Sequence, residues 1–135
     1  MTQNFILPLR VYYEDTDAGG VVYYANYLRF LERARTEWLR AMGFEQAKLM
    51  EETGLAFAVR SLKAEYLKPA RLDDELRVVS GIASHGRVQV VFDQRIERGD
   101  DILLTAMVRV ACLDLKRGKA AAMPLAIHEQ FEKLK

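Results

Sequence analysis

The chain has 135 residues, of which 50% are hydrophobic and 29% are charged. This length fits one domain and leaves little room for a second, so we expect a single domain spanning residues 1–135. The 20 Lys and Arg residues nearly balance the 19 Asp and Glu residues. Such a balance predicts no general attraction to nucleic acid or to a membrane surface, although it allows a local basic patch.

The cysteine content and the absence of long apolar runs indicate where the protein works. Cys112 is the only cysteine, so no intrachain disulfide can form, and its apolar neighbours predict a core position. The segment Met1–Pro8 lacks the basic start and the long apolar run of a secretory signal. No stretch approaches the roughly 18 apolar residues that a spanning helix needs. These features predict a cytoplasmic protein without a membrane span.

The residue pattern predicts an α+β domain. Val11, Tyr12 and Tyr13 favour a first strand over Phe5–Tyr13. Apolar residues at steps of three and four then predict a long helix over Tyr27–Met42, with Asn26 as its N-cap. The remaining elements expected are a short helix at Glu45–Glu52, strands at Ala56–Leu67, Glu75–Ala83, Val88–Ile96 and Ile102–Leu115, and a last helix that opens at Pro124. Strands joined by short turns pair antiparallel, and the stripe of the long helix must be buried against them.

The loop Glu14–Gly20 contains the most promising reactive groups. It places Asp15 and Asp17 among glycines immediately before the long helix. The unpaired N–H groups at the start of a helix can stabilise a developing oxyanion. A carboxylate held opposite can attack a carbonyl carbon or activate a water molecule. On pattern alone, however, acidic residues and glycines before a helix more often form an ordinary loop and cap.

The identity of these residues points further than their pattern. The stretch Arg10–Tyr23, with the sequence RVYYEDTDAGGVVY, closely resembles the signature of the YbgC and 4-hydroxybenzoyl-CoA thioesterase family. The resemblance continues through Ala25–Phe30 and Glu32–Glu37, returns at Pro69–Asp74, and covers nearly the whole chain. It implies a hotdog fold, in which an antiparallel five-stranded sheet wraps around a long central helix. It also implies hydrolysis of acyl-CoA and assembly as a homodimer or homotetramer.

The resemblance assigns two catalytic roles. The second aspartate of the Asp-x-Asp pair, here Asp17, matches the catalytic carboxylate, which leaves Asp15 to hold the loop. The backbone N–H of Tyr24 matches the group that points at the thioester oxygen in the members that act on aromatic substrates. Many YbgC-type members carry histidine at this position, so Tyr24 departs from that subgroup. The departure leaves open whether the acyl group is short and aliphatic or aromatic.

Three further residues are candidates for substrate binding. Asn26 lies at the mouth of the helix, either as its cap or as part of the acyl pocket. Val59, with Ala58 and Leu62, is expected to meet helix side chains across subunits and so to set the pocket depth. Arg87 matches one of the basic positions with which the family holds the coenzyme A phosphates. A solvated arginine in a turn is an equally good interpretation of Arg87.

Other chemistries fit the sequence less well. It has no Gly-x-Ser-x-Gly elbow and no phosphate-binding glycine loop. Its two histidines are isolated in sequence, and His128 is expected to be exposed, so we expect neither a metal nor a cofactor. A hotdog dehydratase would need a histidine in the active-site loop, which has none. The remaining alternative is a module that binds acyl-CoA or an acyl-carrier protein without turnover, in line with the Tol-Pal envelope system that the YbgC resemblance suggests.

Overall fold

A computed structural model describes residues 4–134, so Met1–Gln3, the first part of the Met1–Pro8 segment, and Lys135 lie outside the described range. The helices are Asn26–Ala41 (α1), Gln46–Thr53 (α2) and Leu125–Leu134 (α3). The strands are Phe5–Arg10 (β1), Leu55–Tyr66 (β2), Glu75–His85 (β3), Gln89–Arg98 (β4), Asp101–Asp114 (β5) and Lys119–Ala120 (β6). Between residues 4 and 134, no helix is both long and apolar enough to span a bilayer.

The strands form one antiparallel sheet in the order β1-β3-β4-β5-β2, and the short β6 pairs with the end of β5. The turn between β4 and β5 is tight because Gly99 adopts a positive φ of 59°, which glycine tolerates at no steric cost. β2 is 12 residues long and forms one edge of the sheet. Within residues 4–134, the outer side of β2 has no partner strand.

The core forms where α1 packs against the sheet. The buried residues of α1 recur at steps of three and four, and they are Tyr27, Phe30, Leu31, Ala34, Arg35, Trp38 and Leu39. All of them except Arg35 share one hydrophobic cluster with buried side chains of β3, β4 and β5, and the Trp38 ring lies 6.0 Å from that of Phe92. Burial of each large apolar side chain contributes roughly 1.5–3 kcal/mol to stability. This packing fixes the orientation of α1 and thereby the position of its first turn.

A buried polar network also ties α1 to the sheet. The Gln94 amide Nε2 on β4 donates to the Leu31 carbonyl at 3.1 Å and to the Ser80 hydroxyl at 2.9 Å. The Arg35 guanidinium donates in turn to Gln94 Oε1 at 3.0 Å. Burial lowers the pKa of Arg35 below its ordinary value, and the nearby charge of Glu32 opposes this shift. Because each of these side chains has a partner, burying them costs little.

The predicted α+β arrangement is present, with local corrections. The first strand ends at Arg10 and not at Tyr13, because the chain makes a 3₁₀ turn at Tyr13–Asp15. The N-cap of α1 is Ala25, so the interpretation of Asn26 as the cap is wrong. The sheet has a sixth strand, β6, which is too short to leave a periodic pattern in the sequence. Cys112 is buried as expected, and burial raises the pKa of its thiol.

Candidate active site

Hydrogen bonds close the loop between β1 and α1 at its base. Thr16 and Val22 form an antiparallel bridge, and the Tyr23 N–H donates to the Asp15 carbonyl at 3.0 Å. The Asp15 carboxylate is buried and accepts a hydrogen bond from the Tyr12 N–H at 2.8 Å. This geometry gives Asp15 the loop-holding position that the sequence predicted for it. Residues 17–21 therefore project from a fixed base.

Asp17 lies at the exposed tip of this loop. Its Oδ1 accepts a hydrogen bond from the Gly19 N–H at 2.8 Å, and its own N–H donates to the Val21 carbonyl at 2.9 Å. A Cβ at Gly19 would lie only 3.2 Å from that same Oδ1, so the close approach favours glycine. Among residues 4–134, no Lys or Arg side chain forms an ion pair with Asp17. The carboxylate is thus oriented through one oxygen and keeps its charge unpaired.

Tyr24 occupies the turn immediately before α1. Within the described residues its backbone N–H has no acceptor. The positive end of the α1 dipole adds to the field at this point. The phenol ring of Tyr24 is 63% exposed and lies 4.8 Å from the Tyr23 ring. The free N–H is therefore a candidate oxyanion donor, whereas the side chain faces outward.

Asn26 connects the helix to the loop. Its side-chain Nδ2 donates to the Asp15 carbonyl at 2.9 Å, so the amide points away from the N–H groups of α1 that a cap would satisfy. The same carbonyl accepts the Tyr23 N–H. Asn26 therefore fixes the loop that contains Asp17 relative to the first turn of α1.

Tyr66, at the end of β2, holds the Tyr24 segment from the other side. Its hydroxyl donates to the Tyr24 carbonyl at 3.1 Å, and its ring contacts the Tyr27 ring edge-on at 5.6 Å. Burial raises the pKa of Tyr66, with further contributions from the neighbouring phenols of Tyr24 and Tyr27, so its hydroxyl remains a donor at neutral pH. Sequence reasoning gave Tyr66 no role. The 42 positions that separate it from Tyr24 hide the contact.

The structure does not bring Val59 to the Asp17 loop of its own chain. Val59 lines a cavity of about 190 Å³ between α1 and the sheet, whereas Asp17, Tyr24 and Asn26 do not line it. Val59 lies near the middle of β2, whereas Tyr66 is its last residue. At about 3.3 Å per residue they are roughly 20 Å apart.

Arg87 lies between β3 and β4, in the turn where it was predicted. Its guanidinium donates to the Met123 carbonyl at 3.0 Å, and the Met123 N–H donates to the Arg87 carbonyl at 2.7 Å. Arg87 therefore connects this turn to the segment before α3. The residue is exposed overall, so its guanidinium remains accessible.

The sequence and the fold are matched in known proteins. The model of the family described as "Thioesterase-like superfamily" matches residues 11–131. The chain belongs to the thioesterase-like superfamily. It is 47% identical to the acyl-CoA thioesterase YbgC of Haemophilus influenzae, covering 100% of this chain and 99% of that protein. It is 49% identical to the acyl-CoA thioester hydrolase YbgC of Escherichia coli O6:H1, covering 97% and 98% respectively.

A solved structure supports the same assignment at the level of the fold. The 1,4-dihydroxy-2-naphthoyl-CoA thioesterase Slr0204 from Synechocystis superposes with a TM-score of 0.90 over 98% of both chains, at 23% identity. The predicted hotdog fold, the YbgC-type family and the enzyme class, a thioesterase, are therefore confirmed. These comparisons leave the roles of individual residues as predictions.

The hydrogen bond from the Tyr66 hydroxyl to the Tyr24 carbonyl of this thioesterase can be tested by substitution. Tyr66→Phe removes the hydroxyl that holds the Tyr24 carbonyl, and so loosens the backbone of the residue whose N–H is the candidate donor, but it keeps the ring. The kcat should therefore fall by up to about 10-fold, the value of one hydrogen bond. The KM should change much less, because the ring contacts remain. Tyr13→Phe, at a tyrosine that is 82% exposed, is the control and should leave both constants unchanged. An unchanged kcat in Tyr66→Phe would show that this hydrogen bond does not position the N–H.

Proposed function

We propose that this protein hydrolyses acyl-coenzyme A, with Asp17 as the catalytic carboxylate and the Tyr24 backbone N–H as the oxyanion donor. The proposal rests mainly on one observation. Among residues 4–134 the Asp17 carboxylate has no cationic partner and the Tyr24 N–H has no acceptor, and both groups lie on the one segment that connects β1 to α1. The names of the curated relatives, acyl-CoA thioesterase and acyl-CoA thioester hydrolase, supply the substrate class.

The two groups act on opposite sides of the same reacting carbon. The thioester oxygen would sit at the Tyr24 N–H, where the helix dipole favours the negative charge that develops in the tetrahedral intermediate. Asp17 would either attack the carbonyl carbon itself, forming an anhydride that water then hydrolyses, or remove a proton from an attacking water. In both routes the C–S bond breaks and the coenzyme A thiolate leaves. The products are a carboxylic acid and the free thiol, and this route requires no cofactor.

Replacement of Asp17 tests the central claim. Asp17→Asn keeps the volume but removes the anion, so turnover should fall at least about 100-fold, the low end for loss of a positioned base. The KM for acyl-CoA should change little. Asp15→Asn is the control, because an amide oxygen can still accept the Tyr12 N–H, and it should cost less turnover per folded molecule. Release of free thiol from a panel of acyl-CoA esters is the measurement.

The outcome of that assay also separates the two functional alternatives. An Asp17→Asn variant that works at the parental rate would overturn the mechanism. A parent protein that binds acyl-CoA or an acyl-carrier protein but releases no thiol from any ester would instead be a binding module. The segment between β1 and α1 favours turnover, because it offers both a carboxylate without an ion-pair partner and an N–H without an acceptor among residues 4–134.

The distance between Val59 and Tyr66 favours an active site shared between two copies of the chain. Within one chain, Val59 lies roughly 20 Å along β2 from the Tyr24 segment. β2 is also an unpaired edge with exposed apolar side chains, including Val59 at 51% and Leu62 at 39%. Antiparallel pairing of β2 with its twin would cover this edge. A register centred between Leu62 and Lys63 would also place Val59 of one strand opposite Tyr66 of the other. We therefore propose a homodimer, or a homotetramer built from such dimers.

A mixing experiment tests the shared site. Asp17→Asn removes the carboxylate, and Val59→Arg fills the cavity that Val59 lines. Each variant alone should be inactive. If one site takes Asp17 from one copy and Val59 from the other, co-refolding equal amounts should recover about a quarter of the parental activity, since half the dimers are mixed and each has one intact site. Light scattering should report a dimer or tetramer throughout. A mixture as inactive as its components, with the same oligomeric mass, would place both residues in the site of a single chain.

Arg87 is the proposed contact for the coenzyme A phosphates. Arg87→Ala should raise the KM for acyl-CoA about 2- to 5-fold, the value of one exposed charge contact, and the effect should shrink as salt rises. The KM for an acyl-pantetheine, which lacks the nucleotide, should not change. Lys48→Ala removes the same charge from the surface of α2 and is the control. Equal effects on both substrates would show that Arg87 acts through its hydrogen bond to Met123 and not on the phosphates.

The size and lining of the cavity indicate which acyl group the enzyme accepts. The cavity of about 190 Å³ lined by Phe57, Phe92 and Phe131 suits a short aliphatic or a single-ring aromatic acyl group.

We place the enzyme in the cytoplasm, because its one cysteine is buried and unpaired. An acyl-carrier protein as a further partner and a link to the Tol-Pal system remain proposals that rest on the YbgC resemblance.

A further inference from the structure

A second cluster of reactive side chains lies where α3 meets the end of β3. His85 is the last residue of β3, and His128 and Glu132 lie one helical turn apart on the same face of α3. One nitrogen of each imidazole and one oxygen of Glu132 all lie within 4.8 Å of one another. None of these residues contributes to the catalytic loop. The two histidines that appear isolated in the sequence are therefore neighbours in the fold, and the expectation that His128 is exposed is wrong, since its side chain is only 19% exposed.

We propose that His85, His128 and Glu132 bind one first-row transition-metal ion, with Zn²⁺ as the representative. Two imidazoles and one carboxylate are a ligand set that zinc accepts, with a water in the fourth position. The Nε2 atoms of His85 and His128 lie 3.5 Å and 3.7 Å from Glu132 Oε1. Ligand bonds of about 2.0–2.1 Å in a tetrahedral site set neighbouring ligand atoms about 3.3–3.4 Å apart. The two His–Glu separations would need to shorten by only a few tenths of an ångström, and the two imidazole nitrogens, which lie within 4.8 Å of each other, would approach by a side-chain rotation.

The burial of the cluster is a second observation that supports a bound ion. The His85 side chain is only 4% exposed, and the Nδ1 atoms of both histidines are buried without a hydrogen-bond partner among the described residues. The Nε2–Oε1 separations are also longer than a good N–H···O hydrogen bond. The two Nε2 atoms and Glu132 Oε1 therefore converge without satisfying one another, and a cation between them would be their common partner. The two Nδ1 atoms would each still need a separate acceptor or a water, as the second nitrogen of a metal-bound histidine does.

The position of the cluster indicates what the ion would do. Phe131, on α3 between the two helical ligands, packs its ring 6.5 Å from His85 and 6.4 Å from Phe92. Phe131 also lines the cavity of about 190 Å³. A metal bridging β3 and α3 would therefore fix the helix that forms one wall of this cavity. The inference does not depend on the proposed hydrolysis, because none of the three ligands takes part in it.

A metal titration of the tag-free chain is the test. The sequence has two histidines and one cysteine, and that cysteine is buried, so the cluster should be the preferred site. Co²⁺ should give a saturable visible absorption band at one ion per chain in the micromolar range, and Zn²⁺ should displace it. At a 100-fold excess of Zn²⁺ over its Kd, the melting temperature should rise by about 5–10 °C.

Two variants and a matched control decide the outcome. His128→Ala and Glu132→Gln each remove one ligand and should weaken binding at least about 10-fold, because loss of even an indirect partner of a metal ligand costs that much. Glu129→Gln removes the same charge from an exposed position on α3 and should bind as the parent does. Circular dichroism of the metal-free variants should match the parent. Binding as tight in His128→Ala as in the parent, or a parent that takes up no Co²⁺ in this range, would overturn the proposal. A melting temperature that responds to pH but not to metal would assign the cluster to protons alone and would also overturn it.

Discussion

The burial of α1 against the sheet is the constraint on which the candidate active site depends. The apolar stripe of α1 fixes how the helix lies on the sheet, and the Arg35–Gln94 hydrogen bond adds a polar attachment inside the core. Once the axis of α1 is fixed, its first turn has only one position. The Asn26 side chain bonds to the Asp15 carbonyl and so fixes the loop relative to that turn. The bridge at the base of the loop then holds the residues around Asp17. An exposed carboxylate can therefore be held accurately although few atoms touch it.

The same arrangement explains why the reactive groups are left unsatisfied. The first N–H groups of a helix have no partners within the helix, and the Tyr24 N–H, one residue before the N-cap, has no acceptor among residues 4–134. Tyr66 holds the next peptide, Tyr24–Ala25, through the Tyr24 carbonyl. Asp17 accepts a hydrogen bond from the neighbouring Gly19 N–H and has no cation beside it among residues 4–134. In the proposed enzyme these groups find their partners only in the reacting thioester, so their interactions are strongest in the transition state.

The sequence predicted the scaffold well because the scaffold depends on repeated patterns. The stripe of α1 and the alternation in β4 and β5 extend over many residues, so an error at one position changes little. Single-residue assignments were weaker. Asparagine is a common N-cap, yet the amide of Asn26 bonds to Asp15 and the cap is Ala25. The role of Asp17 came from the family resemblance and not from its spacing. Tyr66 and the His85–His128 pair could not be found, because their partners are about 40 positions away in the chain and only the fold brings them together.

The cavity lined by Val59 lies where several elements of the fold meet. Its walls come from α1, the first residue of α2, β2, β4, β5 and α3. The helix α1 and the central strands are set by the core, whereas α3 is held to the body mainly through Ile127, Phe131 and Leu134. β2 is hydrogen-bonded to a neighbouring strand along one edge only, since its outer edge has no partner in the described chain. β2 and α3 are therefore the walls on which the proposed second copy and the proposed ion would act. In this arrangement the Asp17 loop stays fixed by the core, while the cavity can respond to assembly and to ligands.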